Sequence, residues 1–107
     1  MMNVAQEVRN VYENFEIDKD ILFFKVGRNG IVSFHGRNYN IKKIMPTEQL
    51  NGFIASGQFV KASSNCYVNV GKIIAIEDGM IRFDHGIESK LVPVSMWHQS
   101  HLRSLLS

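Results

Sequence analysis

Residues 59–76 read FVKASSNCYVNVGKIIAI, and this stretch decides the fold. Two apolar, β-prone pieces, Phe59 to Ala62 and Cys66 to Val70, flank the small polar cluster Ser63-Ser64-Asn65. A second polar corner, Asn69 to Lys72, leads into Ile73-Ile74-Ala75-Ile76. Apolar residues alternating with small hydrogen-bonding ones, broken by turn formers, predict strand, turn, strand. Lys61 precedes the polar cluster and Lys72 follows it, so the expected loop is polar and flanked by cations. No strong acid, base or nucleophile lies nearby in sequence, and the stretch offers no catalytic constellation.

Upstream, Val4, Val8, Val11, Tyr12 and Phe15 recur at helical spacing, which predicts a short amphipathic helix over residues 3–15. Asp18-Lys19-Asp20 reads as a turn. Ile21 to Val26 reads as a strand, apolar on both faces at its start and therefore central in its sheet. Gly27-Arg28-Asn29-Gly30 is a hairpin connection, with Gly30 able to take the positive φ of a tight turn. Ile31 to His35 is the return strand, Gly36-Arg37-Asn38 turns again, and Tyr39 to Ile44 is the next strand. A short helix begins at Pro46 or Thr47, buries Leu50, Phe53 and Ile54, and stops at Gly57.

Downstream of the opening stretch, Ile73 to Glu77 and Met80 to Phe83 form a hairpin about Asp78-Gly79. Asp84-His85-Gly86 turns, and Ser89 to Val94 is the last strand, with Pro93 marking it as an edge. Ser95 is an N-cap for a final helix, Met96 to Leu106, whose expected apolar face is Leu102, Leu105 and Leu106. Eight short strands, mostly joined by tight turns, with three short helices predict a mainly β protein of small antiparallel sheets.

A chain of 107 residues with 45% apolar content supports one modest core, so one domain spanning 1–107 is expected. No run of about 18 apolar residues is present, which argues against membrane insertion. The single Cys66 leaves no internal disulfide and fits a reducing, cytoplasmic setting, where its role is that of a small core hydrophobe. Net charge is only +2, but the distribution is uneven. Lys25, Arg28, Arg37, Lys42, Lys43, Lys61 and Lys72 crowd the central half against the lone acid Glu48. Such a block implies nucleic acid or another polyanion as partner, or else a solvated surface with a local charge bias.

Enzymatic motifs are missing. There is no phosphate-cradling glycine loop, no CxxC and no HExxH. His98 and His101 lie three apart on the last helix without a carboxylate or cysteine nearby, which is too little for a metal. His35 and His85 are expected to face solvent. No acid–base pair can be nominated, so no catalytic residue, cofactor or metal is assigned and no enzyme is expected. If nucleic acid binds, loops on a β scaffold must do the work. Three are available: Gly27 to Gly30, Ser63 to Asn65 with its flanking lysines, and the start of the last helix at Ser95 to His98.

The order of these features resembles the LytTR DNA-binding domain, the output module of many bacterial response regulators. The likeness covers roughly residues 10–107 and is most specific over Phe59 to Glu77. There the family typically has F-x-R-x-H-R-S-x-x-V-N-x-x-x-I, and Phe59, Lys61, Val68, Asn69 and Ile73 fit with Lys for Arg. The resemblance implies small antiparallel sheets with short helices, and loops that enter successive major grooves of double-stranded DNA. It also implies paired protomers, a homodimer on direct repeats.

Carried over by position, the DNA-contacting set is Arg28, Asn29, Lys61, Ser63, Ser64, Asn65, Lys72, Ser95 and Met96. The H-R-S triplet is Ser63-Ser64-Asn65 here, and the S-R pair opening the last helix is Ser95-Met96. Asn69 reads as structural, its amide tying down a turn. Two functions are therefore expected: a DNA-binding transcriptional regulator, or a protein-interaction module of the same fold with weakened DNA readout. The second follows from the short Ser64 and the apolar Met96, and its partner would be a regulatory protein. Taken as a full chain, the sequence has no receiver domain, so control would come from abundance, dimerisation or another protein.

Overall fold

The computed structural model describes residues 16–86 and 89–106. The helix expected over residues 3–15 lies outside the described residues. The described part begins with a single helical turn, α1 (Ile17–Asp20), where the sequence reading placed a turn. Strands β1 (Phe23–Val26), β2 (Ile31–His35) and β3 (Asn40–Ile44) follow, then α2 (Thr47–Ala55). The hairpin β4 (Phe59–Ser63) and β5 (Cys66–Asn69) comes next. Last come β6 (Ala75–Glu77), β7 (Met80–Arg82), β8 (Leu91–Pro93) and α3 (Met96–Leu106). The strands form two antiparallel sheets, one of five strands in the order β3-β2-β1-β5-β4 and one of three in the order β6-β7-β8.

Turn chemistry sets the registers. In the β1–β2 connection Asn29 and Gly30 both take positive φ, 59° and 76°. Asparagine and glycine are the residues that tolerate this region. Asp78 and Gly79, at 53° and 75°, make the two-residue turn between β6 and β7. Pro93 sits on β8, an edge strand as expected.

β1 is the middle strand of the large sheet, and both of its faces are buried. Phe23 packs on one side with Ala62, Cys66 and Val68 against the three-stranded sheet (Ile76, Ile81, Val92) and Leu102 of α3. Phe24 packs on the other with Val32, Phe34, Phe59 and Leu50 of α2. The Phe24 ring centroid lies 5.1 Å from Phe59 and 5.2 Å from Tyr67. Such aromatic clusters add to the area they bury.

The three-stranded sheet and α3 cover only part of the large sheet's first face. On β2 and β3 the buried side chains, Val32 and Phe34 with Ile41 paired opposite Phe34, point the other way. The period-2 alternation leaves Ser33, His35 and Lys42 on the partly uncovered face. A polar clamp joins the layers beside this gap. Lys90 Nζ donates to the carbonyls of Gly36 (2.6 Å) and Tyr39 (3.0 Å) and to Asn40 Oδ1 (2.7 Å). Arg37 pairs with Asp84 at 2.7 Å.

The α3 face is narrower than expected. Leu102 is buried, but Leu105 and Leu106 are not. Leu105 lines an open groove of about 460 Å³ with Ile54, Phe59 and Val60, because α2 and α3 do not close over the outer part of β4.

Asn69 is the one fully buried polar residue among the described residues. Its Oδ1 accepts from Gly71 N–H (3.2 Å) and Gln58 Nε2 (2.6 Å), and its Nδ2 donates to the Ile21 carbonyl (2.9 Å). The side chain thus ties the start of β1, the start of β4 and the turn after β5. Asn69→Leu keeps much of the volume but strands the Ile21 carbonyl and the Gly71 N–H. A loss of about 3 kcal/mol is expected in urea unfolding, read as a lower midpoint with an unchanged slope.

Candidate functional site

The topology lines up three of the sequence-nominated segments along one end of the large sheet. β1 runs toward its connection with β2, and β5 starts beside that end, since Lys25 pairs with Cys66. The β4–β5 turn therefore lies next to the β1–β2 turn, and Val26 N–H donates to the Asn65 carbonyl at 2.9 Å. In the strand order the two turns are centred two strands apart, about 10 Å at the usual spacing. The start of α3 completes the row. Ser95 N–H donates to the Ala62 carbonyl at 3.0 Å, beside the turn at Ser63 to Asn65. Arg28, Asn29, Ser64 and Asn65 are exposed, and Ser63 and Ser95 are partly buried.

Ser95 Oγ bonds to His98 Nδ1 at 2.5 Å, while its carbonyl accepts the first helical N–H groups from His98 and Gln99. Met96 and Trp97 then project into solvent, 86% and 91% exposed.

Two nominated cations are not in this row. Lys72 ends the turn Val70–Lys72, at the far end of β5 from Ser64 and Asn65, because the whole strand separates the two corners. The expected loop with a cation on each side is therefore not formed. Lys61 pairs opposite Tyr67, on the sheet face away from Lys25, with its Nζ 6.0 Å from the Tyr67 ring centroid.

Cations that the sequence reading did not nominate take part instead. Lys25, Ser33 and Lys42 face one another across β1, β2 and β3. With Arg28, Asn29 and Asn65 they line a cleft of about 460 Å³ on the uncovered part of the first face. Among the described residues, no acidic one lines it. Among the described residues, no ion pair forms to Lys25, Arg28 or Lys42. The only sequence signal for this group is the hairpin register: Lys25, Ser33 and Lys42 are eight or nine residues apart, and two turns bring them level.

No family model matches the chain, and no curated protein matches it. Among solved structures it is similar to the LytTr DNA-binding domain of a Bacillus cereus protein described as a methyl-accepting/DNA response regulator. The similarity covers 84% of each chain with a TM-score of 0.58, at 16% sequence identity. The chain has the LytTR-type fold.

Burial pushes the Cys66 thiol up to about 11, slightly opposed by Lys25, so almost no thiolate exists at neutral pH. Among the described residues no cluster of three or more His, Cys, Asp or Glu is placed to hold a metal ion. No helix of the described residues is long and apolar enough to cross a membrane.

His35 corrects the expectation of a solvent-facing ring. It stacks on Phe23 at a centroid distance of 4.4 Å and an interplanar angle of 9°, and its Nε2 meets Ser33 Oγ at 3.0 Å. The second sheet covers that end of the face, which is why an alternating polar position became half-buried. His85 is exposed.

Burial lowers the His35 pKa below 6.5, and the charges of Lys90 and Lys25 lower it further, against a hydrogen bond that the ring donates to Asn40, which raises it. The folded state therefore binds the proton less well than the unfolded chain. This contribution to stability is complete above about 6.5 and is lost as pH falls from there through the lowered folded value. Melting temperature should drop in that window, and His35→Phe, which keeps the stack, should flatten the drop. Asp84, lowered chiefly by the Gly86 N–H, acts only below its ordinary 3.8. A second expectation concerns Cys66: alkylation by iodoacetamide at pH 8 should be far slower in the folded protein than in urea, followed by mass spectrometry.

Proposed function

We propose that the protein binds double-stranded DNA through the row of turns at one end of its large sheet. The observation that carries this reading is the alignment of Arg28-Asn29, Ser63-Ser64-Asn65 and Ser95-Met96 along one end. The fold is shared with a domain that is named for DNA binding.

The two hairpin turns, about 10 Å apart, are spaced close to the roughly 12 Å width of a major groove. One groove and its flanking phosphates can be addressed by both. Arg28 takes a phosphate or a guanine edge. Asn29, Ser64 and Asn65 offer short hydrogen bonds to base edges. Ser63 and Ser95 support the turns that carry them. Lys61 stands back from the row on the other face of β4, and Lys72 is too far away to join. The finer reading is a cytoplasmic transcriptional regulator that binds direct repeats as paired protomers.

The exposed pair Met96 and Trp97 favours a second reading, a protein-interaction module on the same scaffold. Adjacent apolar side chains this exposed at a helix start are a contact surface in search of a partner.

Fluorescence anisotropy with a duplex from the region upstream of the protein's own gene separates the two. Affinity for DNA should fall steeply with salt, because each neutralised phosphate releases counterions. Arg28→Gln should reduce the slope of log K against log salt by about one, while Lys72→Gln leaves it unchanged. Trp97 is the single tryptophan, so its emission reports on the α3 start directly. No duplex binding at low salt, with a hetero-complex lost in Trp97→Ala, would replace the first reading by the second.

A further inference from the structure

The strip of the large sheet that the other described residues leave uncovered carries a charge arrangement that the turns do not explain. Lys25 and Lys42 stand on either side of Ser33 in one cross-strand row, and Arg28 closes the row from the neighbouring turn. All three cations are exposed, and among the described residues none is matched by an acid. Two acids among the described residues are engaged elsewhere. Asp84 is held by Arg37, and Glu77 lies 3.6 Å from Arg82.

Like charges gathered around a concave surface raise the local potential, because the low-dielectric walls concentrate the field. Between the cations lie neutral hydrogen-bonding groups, the Ser33 hydroxyl and the amides of Asn29 and Asn65. Cationic points around a concave lining that offers neutral donors beside the apolar Val26 and Ile31 suit an oxyanion with several acceptor oxygens. A carboxylate would satisfy only a pair of these groups. A phosphate or a diphosphate can accept from all of them.

We propose that this cleft is a phosphate-binding site, with Lys25, Lys42 and Arg28 supplying the charge and Ser33, Asn29 and Asn65 the neutral donors. Binding there does not depend on the turns reading DNA. The phosphate can belong to a duplex backbone passing beside the turns or to a small phosphorylated molecule such as a nucleotide.

The test uses the whole chain, labelled with ¹⁵N, and inorganic pyrophosphate as the probe. Saturable shifts are expected at the amides of Lys25, Ser33, Lys42 and Asn65. The variant Lys25→Gln/Lys42→Gln should weaken the affinity at least tenfold, and Lys25→Arg/Lys42→Arg should restore it. Both lysines are exposed, so the melting temperature of the Gln variant should stay the same or rise as like charges are removed. Shifts scattered over all the lysines, or an affinity indifferent to the Gln pair, would overturn the site.

A second arm identifies the source. If the Gln pair also lowers the salt slope of duplex binding by about two, the phosphates are those of the backbone. If ADP binds in a Lys25- and Lys42-dependent way while the duplex slope is unmoved, the ligand is a free phosphorylated molecule. Either result upholds the cleft. A protein that binds no duplex loses the function proposed above, and the pyrophosphate titration still decides the site.

Discussion

The buried amide of Asn69 holds together segments that the backbone alone would leave independent. It reaches the Ile21 carbonyl 48 residues away, the Gln58 side chain before β4 and the Gly71 N–H in the turn it begins. A polar group inside a core is costly unless it is satisfied, and once satisfied it permits few alternative packings. Here three different partners must be in place together. The relative placement of β1, β4 and β5 follows from that requirement, and the row of turns at the opposite end of these strands inherits its spacing from it.

A second constraint is one of area. Five strands need covering on two faces, and the described residues supply α2 on one side and a three-strand sheet with α3 on the other. The second cover is too small. What lies beyond its rim, on β2 and β3, is mixed, with Ile31 and Ile44 exposed beside Ser33 and Lys42, and its charge is basic because the central half of the sequence holds seven cations and one acid. Lys90 marks the rim. Its ammonium spans from the smaller sheet's side to the carbonyls of the β2–β3 turn and fixes where coverage stops.

Much of the scaffold was legible in the sequence because its turns carry unambiguous chemistry. Asn29-Gly30 and Asp78-Gly79 are pairs suited to positive φ, and they delimit strands whose alternation is plain. The apolar start of the first strand announced a central position. Cys66 and Asn69 were also readable, one as a small core residue and one as a turn anchor.

The parts that were not legible depend on distances through space. The cleft needs the register of two successive hairpins to bring Lys25, Ser33 and Lys42 level. Lys72 looked close to Ser64 in sequence, yet a strand of four residues carries it to the other end. His35 alternates like a solvent-facing residue, and only the second sheet's position turns it into a stacking partner for Phe23. Leu105 has the period of a buried stripe but meets an open groove, and Leu106 is exposed.

Pro93 has a consequence of another kind. In β8 the Val94 N–H points inward to the Gly79 carbonyl, so the neighbouring position on the outer rim is the one that proline deprives of a donor. The other borders are guarded differently. On β3 stand Lys42 and Lys43, on β4 the Ala62 carbonyl is already taken by Ser95, and β6 is only three residues long. Unpaired strand borders are where one protein molecule templates onto the next. With each border charged, occupied, shortened or stripped of a donor, the described fold resists edge-to-edge aggregation, which leaves its turns free to be exposed at high concentration.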